Sequence, residues 1–317
     1  MELLEIEKSL YKMLNKCVIC PHSCRVNRRI GEKGFCGAGF EPVISSSMPH
    51  HGEEPPISGS SGSGTIFFSY CNMKCVYCQN YQISQEHEGV KTSINRLADS
   101  MLMLQNLGCH NINFVSPTIW IPQIVEALSA ARNKGLTLPT VFNTGGYDSP
   151  SIIKMLNSII DIYMPDIRYS SDHAAKKYSM VEDYVRYNRQ SVKEMYRQVG
   201  GLKLDSHGIA AKGLLIRLLV LPYDIGGIKK TLDFIKSELS TDVYLSIMAQ
   251  YHPTYNAFDY PKLSRSITAK EYLEIVRYAE KKGFSFGWTQ DHISLEGKED
   301  LFTPDFKDKD IFKYYKK

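Results

Sequence analysis

Four cysteines, Cys17, Cys20, Cys24 and Cys36, stand in the pattern C-x2-C-x3-C-x11-C, and three more, Cys71, Cys75 and Cys78, follow as C-x3-C-x2-C. Thiolates this closely spaced can wrap a small metal centre, and they are the soft ligands that zinc and iron–sulfur clusters prefer. The run of three directly follows the strand-like stretch 65–69, so its loop leaves the carboxyl end of a strand. Three protein ligands on a four-iron cubane leave one iron open to a small molecule, as catalytic metal sites keep a position free. Zinc completed by His87 or by a cysteine of the first group fits the same spacing. The group of four offers a closed coordination sphere, which suits structural zinc or an auxiliary cluster with no open iron. His22 is a substitute ligand there, and Arg25, Arg28 and Arg29 could offset the charge of a tetrathiolate. The eighth cysteine, Cys109, follows Leu97, Met101 and Leu104 at helical spacing and reads as a buried small hydrophobe.

The elements that must hold these residues are legible in the rest of the chain. Its 317 residues are 43% hydrophobic and 23% charged, which excludes a wholly disordered or fibrous protein. Thirty-eight Lys plus Arg against 34 Asp plus Glu leave a net charge of +4, too even to argue for nucleic acid or a membrane surface. The first residues carry Glu2, Glu5 and Glu7 where a secretory signal has a positive region. The most apolar stretch, 213–222, is broken by Arg217 and is far shorter than the roughly 20 residues that span a bilayer. A cytoplasmic protein without a membrane span is therefore expected, and its cysteines read as metal ligands rather than a disulfide framework.

Residues 1–60 hold a short amphipathic pattern, Ile6, Leu10, Met13 and Leu14, then the first cysteine group and a Pro/Gly/Ser-rich lead-in, and are expected to form an N-terminal extension. From there to residue 295, β-type runs at 65–69, 111–115, 139–143, 160–164, 214–219 and 243–248 alternate with helical patterns. That alternation predicts six βα units with a parallel sheet. Helices are expected over 119–134, around 174–178 and 183–199, and after the capping box Thr268-Ala269-Lys270-Glu271, closed by Gly283. A partial barrel and a doubly wound sheet both fit this string; the first βα turn lacks G-x-G-x-x-G, which disfavours a dinucleotide fold. Residues 296–317 form a tail, and its basic, aromatic segment 307–317 is short enough to read as packing rather than a nucleic-acid site.

C-x3-C-x2-C with an aromatic residue, Tyr77, just before the third cysteine resembles the hallmark of the radical S-adenosylmethionine (SAM) superfamily. The longer run 62–80, with His51-Gly52-Glu53-Glu54-Pro55-Pro56 upstream and Gln250-Tyr251-His252-Pro253 downstream, is similar to homologues of the pyruvate formate-lyase activating enzyme. The resemblance implies a partial (β/α)6 TIM-type barrel with its chemistry at the carboxyl ends of the strands and a [4Fe-4S] cluster on Cys71, Cys75 and Cys78, with SAM chelating the open iron. Where relatives carry a Gly-Gly-Glu type segment for the SAM amine, this chain has Ser116-Pro117-Thr118, whose hydroxyls can accept from an ammonium but bring no charge. Asn143 begins the turn after the third strand, and Asp166-Ile167-Arg168 stands where relatives have Asp-x-Lys; Arg168 could hold the SAM carboxylate bidentately. His252 stands where relatives place a histidine against the ribose. Arg217, charged inside an apolar strand, must face a partner and is assigned to orienting substrate or SAM. Glu53 and Glu54 could bind a cationic substrate group or shuttle protons.

These readings lead to a radical SAM oxidoreductase that cleaves SAM reductively and abstracts hydrogen from substrate. A flavodoxin or ferredoxin is the donor the resemblance implies. By analogy the substrate is a glycyl-radical enzyme; the Ser116-Pro117-Thr118 departure and the extra cysteine group favour a peptide or small metabolite instead. The rivals are a zinc-binding scaffold without catalysis and a SAM-dependent methyltransferase without a cluster.

Overall fold

The computed structural model describes residues 3–290 and 304–308. Its strands are β1 (Val43–His50), β2 (Ser63–Phe68), β3 (Val90–Lys91), β4 (Ile112–Val115), β5 (Thr140–Thr144), β6 (Ile162–Pro165), β7 (Lys203–Leu204), β8 (Ala210–Leu219), β9 (Tyr244–Met248) and β10 (Gly287–Thr289). They join in one sheet in the order β10-β9-β8-β6-β5-β4-β2-β1-β3, with β7 added beside β8. From β2 to β10 every neighbour on this path is parallel. The path does not close on itself, so the sheet forms an open barrel whose strands are buried under helices.

All six expected strands belong to the parallel array. The sequence reading missed β10, a three-residue strand too short for a periodic signal, and β1, which pairs antiparallel with β2. The sequence of β1, Val-Ile-Ser-Ser-Ser-Met-Pro-His, lacks apolar alternation. Only Val43 and Ile44 pair with β3, so most of β1 is a sheet edge, where Pro49 is tolerated. Part of the expected N-terminal extension is thus built into the barrel sheet. The rest docks on it: helix Leu3–Met13 buries Ile6 and Leu10 and packs on helix Ile121–Asn133, where Tyr11 donates to Glu126.

The expected helices lie at Ile121–Asn133, Asp172–Ser179, Tyr184–Val199 and Ala269–Lys282. At the last, Thr268 and Glu271 form the reciprocal cap read from the sequence, and Gly283 closes the helix in the left-handed region. Cys109 is buried in the core among Leu97, Met101 and Leu104. Of the expected tail, residues 304–308 are described; Phe306 stacks edge-on against Phe67 and donates its amide to Gln82, and the remainder of 296–317 lies outside the described residues. No helix among the described residues is long and apolar enough to cross a membrane.

Because β1 runs against β2, its end at His50 lies at the amino end of the barrel, opposite Ser63. The chain then crosses the base of the barrel as the segment 51–59, with a short helix at Pro55–Ser58. This crossing brings Glu53 and Glu54 under the lumen.

Candidate active site

The three-cysteine loop begins where β2 ends, at the carboxyl face of the barrel. Its backbone is fixed from outside the sheet: the amides of Lys74 and Val76 donate to the carbonyls of Ser179 and Tyr178, each at 2.9 Å. Asn72 ties the loop to the β5 turn by donating to the Tyr147 carbonyl at 2.5 Å. Each sulfur has a polar neighbour placed to donate. The Met73 amide lies 3.4 Å from Cys71 Sγ, the Ser179 hydroxyl 3.0 Å from Cys75 Sγ, and the Ser84 hydroxyl 3.2 Å from Cys78 Sγ. Such contacts stabilise sulfur most when it is a thiolate. Burial pushes the Cys71 thiol up to about 12 and Cys78 up to about 11, so in the absence of a positive centre these two would stay protonated. A bound cationic metal centre inverts that preference.

Tyr77 is buried, and its hydroxyl meets the Tyr169 hydroxyl at 2.6 Å; Tyr169 meets Ser179 at 2.7 Å. With the Ser179–Cys75 contact this forms a continuous chain of hydroxyls ending on a cysteine sulfur. Neither Tyr169 nor Ser179 carries a sequence signal, because one lies in the segment after β6 and the other at the end of helix Asp172–Ser179, and both reach the loop only through tertiary packing. Among the described residues, no group of three or more His, Cys, Asp or Glu is closed around one point as a single metal ion requires.

Across the lumen, five of the residues singled out from sequence meet in one network. Arg217 crosses the lumen, donating to Asp166 at 2.9 Å and to the Asn143 side-chain oxygen at 2.6 Å, and approaching Glu53 at 3.5 Å. Arg168 donates to the other Asp166 oxygen at 2.5 Å. Its Nε is buried and has no hydrogen-bond partner. Glu53 also accepts from Asn113 at 2.9 Å and Asn143 at 3.2 Å. Three carboxylates, Glu53, Glu54 and Asp166, therefore share two guanidinium groups. Burial pushes both Glu53 and Glu54 upward, opposed chiefly by Arg217.

The other residues lie apart from this network. Thr118 is buried and committed to Asp148, donating at 2.6 Å, with Thr144 3.2 Å away. Thr144 donates to the second Asp148 oxygen at 2.8 Å. Asp148 was not anticipated from the sequence; burial pushes it up to about 6 although both hydroxyls favour its charged form. Ser116 sits in the left-handed region at φ 59°, its amide on the Asn143 carbonyl. His252 is buried with Nδ1 3.2 Å from the Gln250 carbonyl. The turn after β5 needs a glycine: a Cβ on Gly146, at φ 79°, would strike the Asp166 carbonyl oxygen and the Asn188 amide.

A cavity of about 310 Å³ occupies the lumen. Glu53 and Glu54 line its base, Asn143, Arg217 and Ser246 its wall, and Gln79 and Gln250 its mouth beside the cysteine loop. The volume lies at the small end of the range for small-molecule pockets. Glu54 Oε2 is buried without a hydrogen-bond partner.

No protein-family model matches the chain. Over 290 residues it is 29% identical to the uncharacterised protein MJ0674 of Methanocaldococcus jannaschii, covering 88% of this chain and 77% of that protein. A second uncharacterised protein of the same organism, MJ0808, is 22% identical over 286 residues, covering 82% and 80%. Among solved structures, the crystal structure of HydG, a maturase of the [FeFe]-hydrogenase, superposes with a TM-score of 0.50 at 12% identity, over 71% of this chain. This chain spans 50% of the HydG chain it matches. An identity this low speaks for architecture alone, and the open parallel barrel described above is similar to the fold of HydG.

Proposed function

We propose that this protein is a radical SAM enzyme acting on a small molecule or peptide segment that carries a cationic or N–H-rich group. The observation that carries the first half is the loop at the end of β2: three cysteines in C-x3-C-x2-C, Cys75 buried and Cys71 and Cys78 half-buried, each sulfur beside its own N–H or O–H donor. Cys71, Cys75 and Cys78 would hold a [4Fe-4S] cluster through three of its irons. When bound, the cluster and SAM supply reductive cleavage of SAM to a 5′-deoxyadenosyl radical able to take a hydrogen atom from substrate.

The chain's own residues would position and shield that chemistry. Ser179, Ser84 and the Met73 amide hold negative charge on the three sulfurs. The orphaned Nε of Arg168, aimed near the cysteine loop, supports a contact with a carboxylate such as that of SAM. Asp166 keeps Arg168 charged and oriented, and also anchors Arg217. Helices cover the outer barrel face and the crossing segment lies at its base, which limits the access of water to the lumen.

The second half rests on Glu54. A buried carboxylate oxygen without a partner, lining a cavity beside a second carboxylate, favours a ligand that brings hydrogen-bond donors or positive charge. Peptide and small-metabolite substrates fit this chemistry. An activase acting on a glycyl-radical enzyme is the second reading, favoured by the 250–253 segment together with the 62–80 run. A one-electron protein donor of the flavodoxin or ferredoxin class is required in either case.

The test is anaerobic reconstitution with iron and sulfide, followed by EPR of the reduced protein with and without SAM and assay of 5′-deoxyadenosine. Four irons lost in Cys75→Ala, with a signal that SAM perturbs, support the proposal. A reduced protein whose signal ignores SAM and which forms no 5′-deoxyadenosine overturns it.

A further inference from the structure

The first cysteine group forms a site of its own, apart from the barrel mouth. Its first loop is pinched at the base by the Cys17 amide donating to the Val26 carbonyl at 2.8 Å and the Arg25 amide donating to the Cys17 carbonyl at 2.9 Å. Within the loop the Ser23 amide returns to the Cys20 carbonyl at 3.0 Å. The second loop, carrying Cys36, is pressed against the first: the Phe35 amide donates to Cys24 Sγ at 3.3 Å. A Cβ on Gly34 would lie 2.7 Å from Cys24 Sγ, so only glycine allows that approach. All four cysteines, Cys17, Cys20, Cys24 and Cys36, line one enclosed space with His22 and Arg28.

Two properties of that space identify an occupant. Its volume as it stands is about 10 Å³, room for roughly one atom or water. Its charge is unbalanced. Arg28 is 1% exposed, and its guanidinium donates to the carbonyls of Gly39 at 2.9 and 2.6 Å and Ile119 at 2.8 Å, lying over the Trp120 ring. Among the described residues no carboxylate pairs with it. A buried cation held by carbonyl dipoles alone is costly. Four thiolates around a divalent ion carry a net charge of −2, which supplies the missing counter-charge beside Arg28.

We propose that Cys17, Cys20, Cys24 and Cys36 bind one divalent ion of the zinc class, in a tetrathiolate site electrically matched by the buried Arg28. Uptake by four protonated thiols releases four protons to solvent and changes no oxidation state. The thiols are not closed around an ion as they stand, so binding turns them toward the shared space. Such a site would also brace the barrel mouth. The His22 ring lies 2.8 Å from the Asn72 carbonyl in the three-cysteine loop, and Phe35 stacks on His22 while Lys74 lies over Phe35. His22 is therefore engaged outward rather than needed as a ligand.

The proposal is independent of the chemistry at Cys71, Cys75 and Cys78, and its test separates the two. The full chain is purified without added iron and analysed for metals, and titrated with a mercurial thiol reagent in the presence of a zinc indicator. The expected result is one zinc per chain, released as four thiols react, retained in Cys75→Ala and lost in Cys36→Ser. Growth in cobalt should give the ligand-field bands and sulfur-to-metal absorption of a tetrahedral tetrathiolate in the wild-type chain, a readout that needs no variant. Arg28→Leu should weaken zinc retention against a chelator at least tenfold. Zinc-free protein with four freely reactive thiols, or eight irons after reconstitution with iron lost in Cys36→Ser, overturns the proposal.

Discussion

Replacing Arg217 by Met removes the cation that spans the lumen while leaving a side chain of similar length. Glu53 and Asp166 then face one another across the cavity, each with only 8% of its side chain exposed, and Asn143 Oδ1 loses its donor. Removing one partner of a buried ion pair costs about 3–5 kcal/mol because the remaining charge is left uncompensated. With a melting entropy of about 2.1 cal/mol/K per residue, that range lowers the melting temperature by roughly 5–8 °C for a chain of this length. The loss should depend on pH, with a definite sign. Glu53 and Glu54 already titrate above the usual carboxylate range because of burial, and Arg217 is the main influence opposing it. Without Arg217 they rise further, so the folded state holds protons that the unfolded state has released. Stability of the variant therefore falls as pH rises from the ordinary carboxylate range through the raised folded pKa, and the deficit is larger at pH 8 than at pH 5. Anaerobic thermal melts followed by circular dichroism at the two pH values measure it. In Arg217→Met with Glu53→Gln, part of the loss should return, with a coupling of about 0.5–3 kcal/mol. A deficit under about 1 kcal/mol, or one equal at both pH values, refutes the assignment of Arg217 as counter-ion to these carboxylates.

Asp148 gives a second pH test: with its pKa raised to about 6, wild-type stability should fall between about pH 4 and 6, on the order of 3 kcal/mol, and Asp148→Asn should flatten that slope in melts across this range. Glu54→Gln should keep slow, substrate-independent formation of 5′-deoxyadenosine but lose its stimulation by a cationic substrate at least tenfold; equal stimulation would remove Glu54 from the binding site. Ser179→Ala deletes the donor to Cys75 Sγ and should shift the reduction potential of the proposed cluster downward in a redox titration, with iron content unchanged. Gly146→Ala drives a methyl into the Asp166 carbonyl and should destabilise by several kcal/mol, read as a lowered melting temperature, whereas an unchanged melt would show that the turn can open without cost.

The cysteines of the proposed metal site are legible in one dimension because ligands carried on a single loop are encoded by local spacing. C-x3-C-x2-C lies within eight residues, and the strand before it announces itself by an apolar run. The six strands and the Thr268 cap were equally legible, since periodicity and capping are short-range. The charge of Arg217 inside an apolar strand announced a buried partner, yet not which one. Tertiary structure decided that, because the partners come from three other chain segments: Asp166 from the end of β6, Asn143 from β5, and Glu53 from a segment that crosses the base of the barrel after an antiparallel edge strand. No local pattern encodes that crossing: β1 is serine-rich and tolerates a proline because one side of it is an edge. The same holds for Arg28, one of three arginines among the first cysteines. Its spacing does not distinguish it from Arg25 and Arg29, and only the fold shows that it is buried beside the four cysteines.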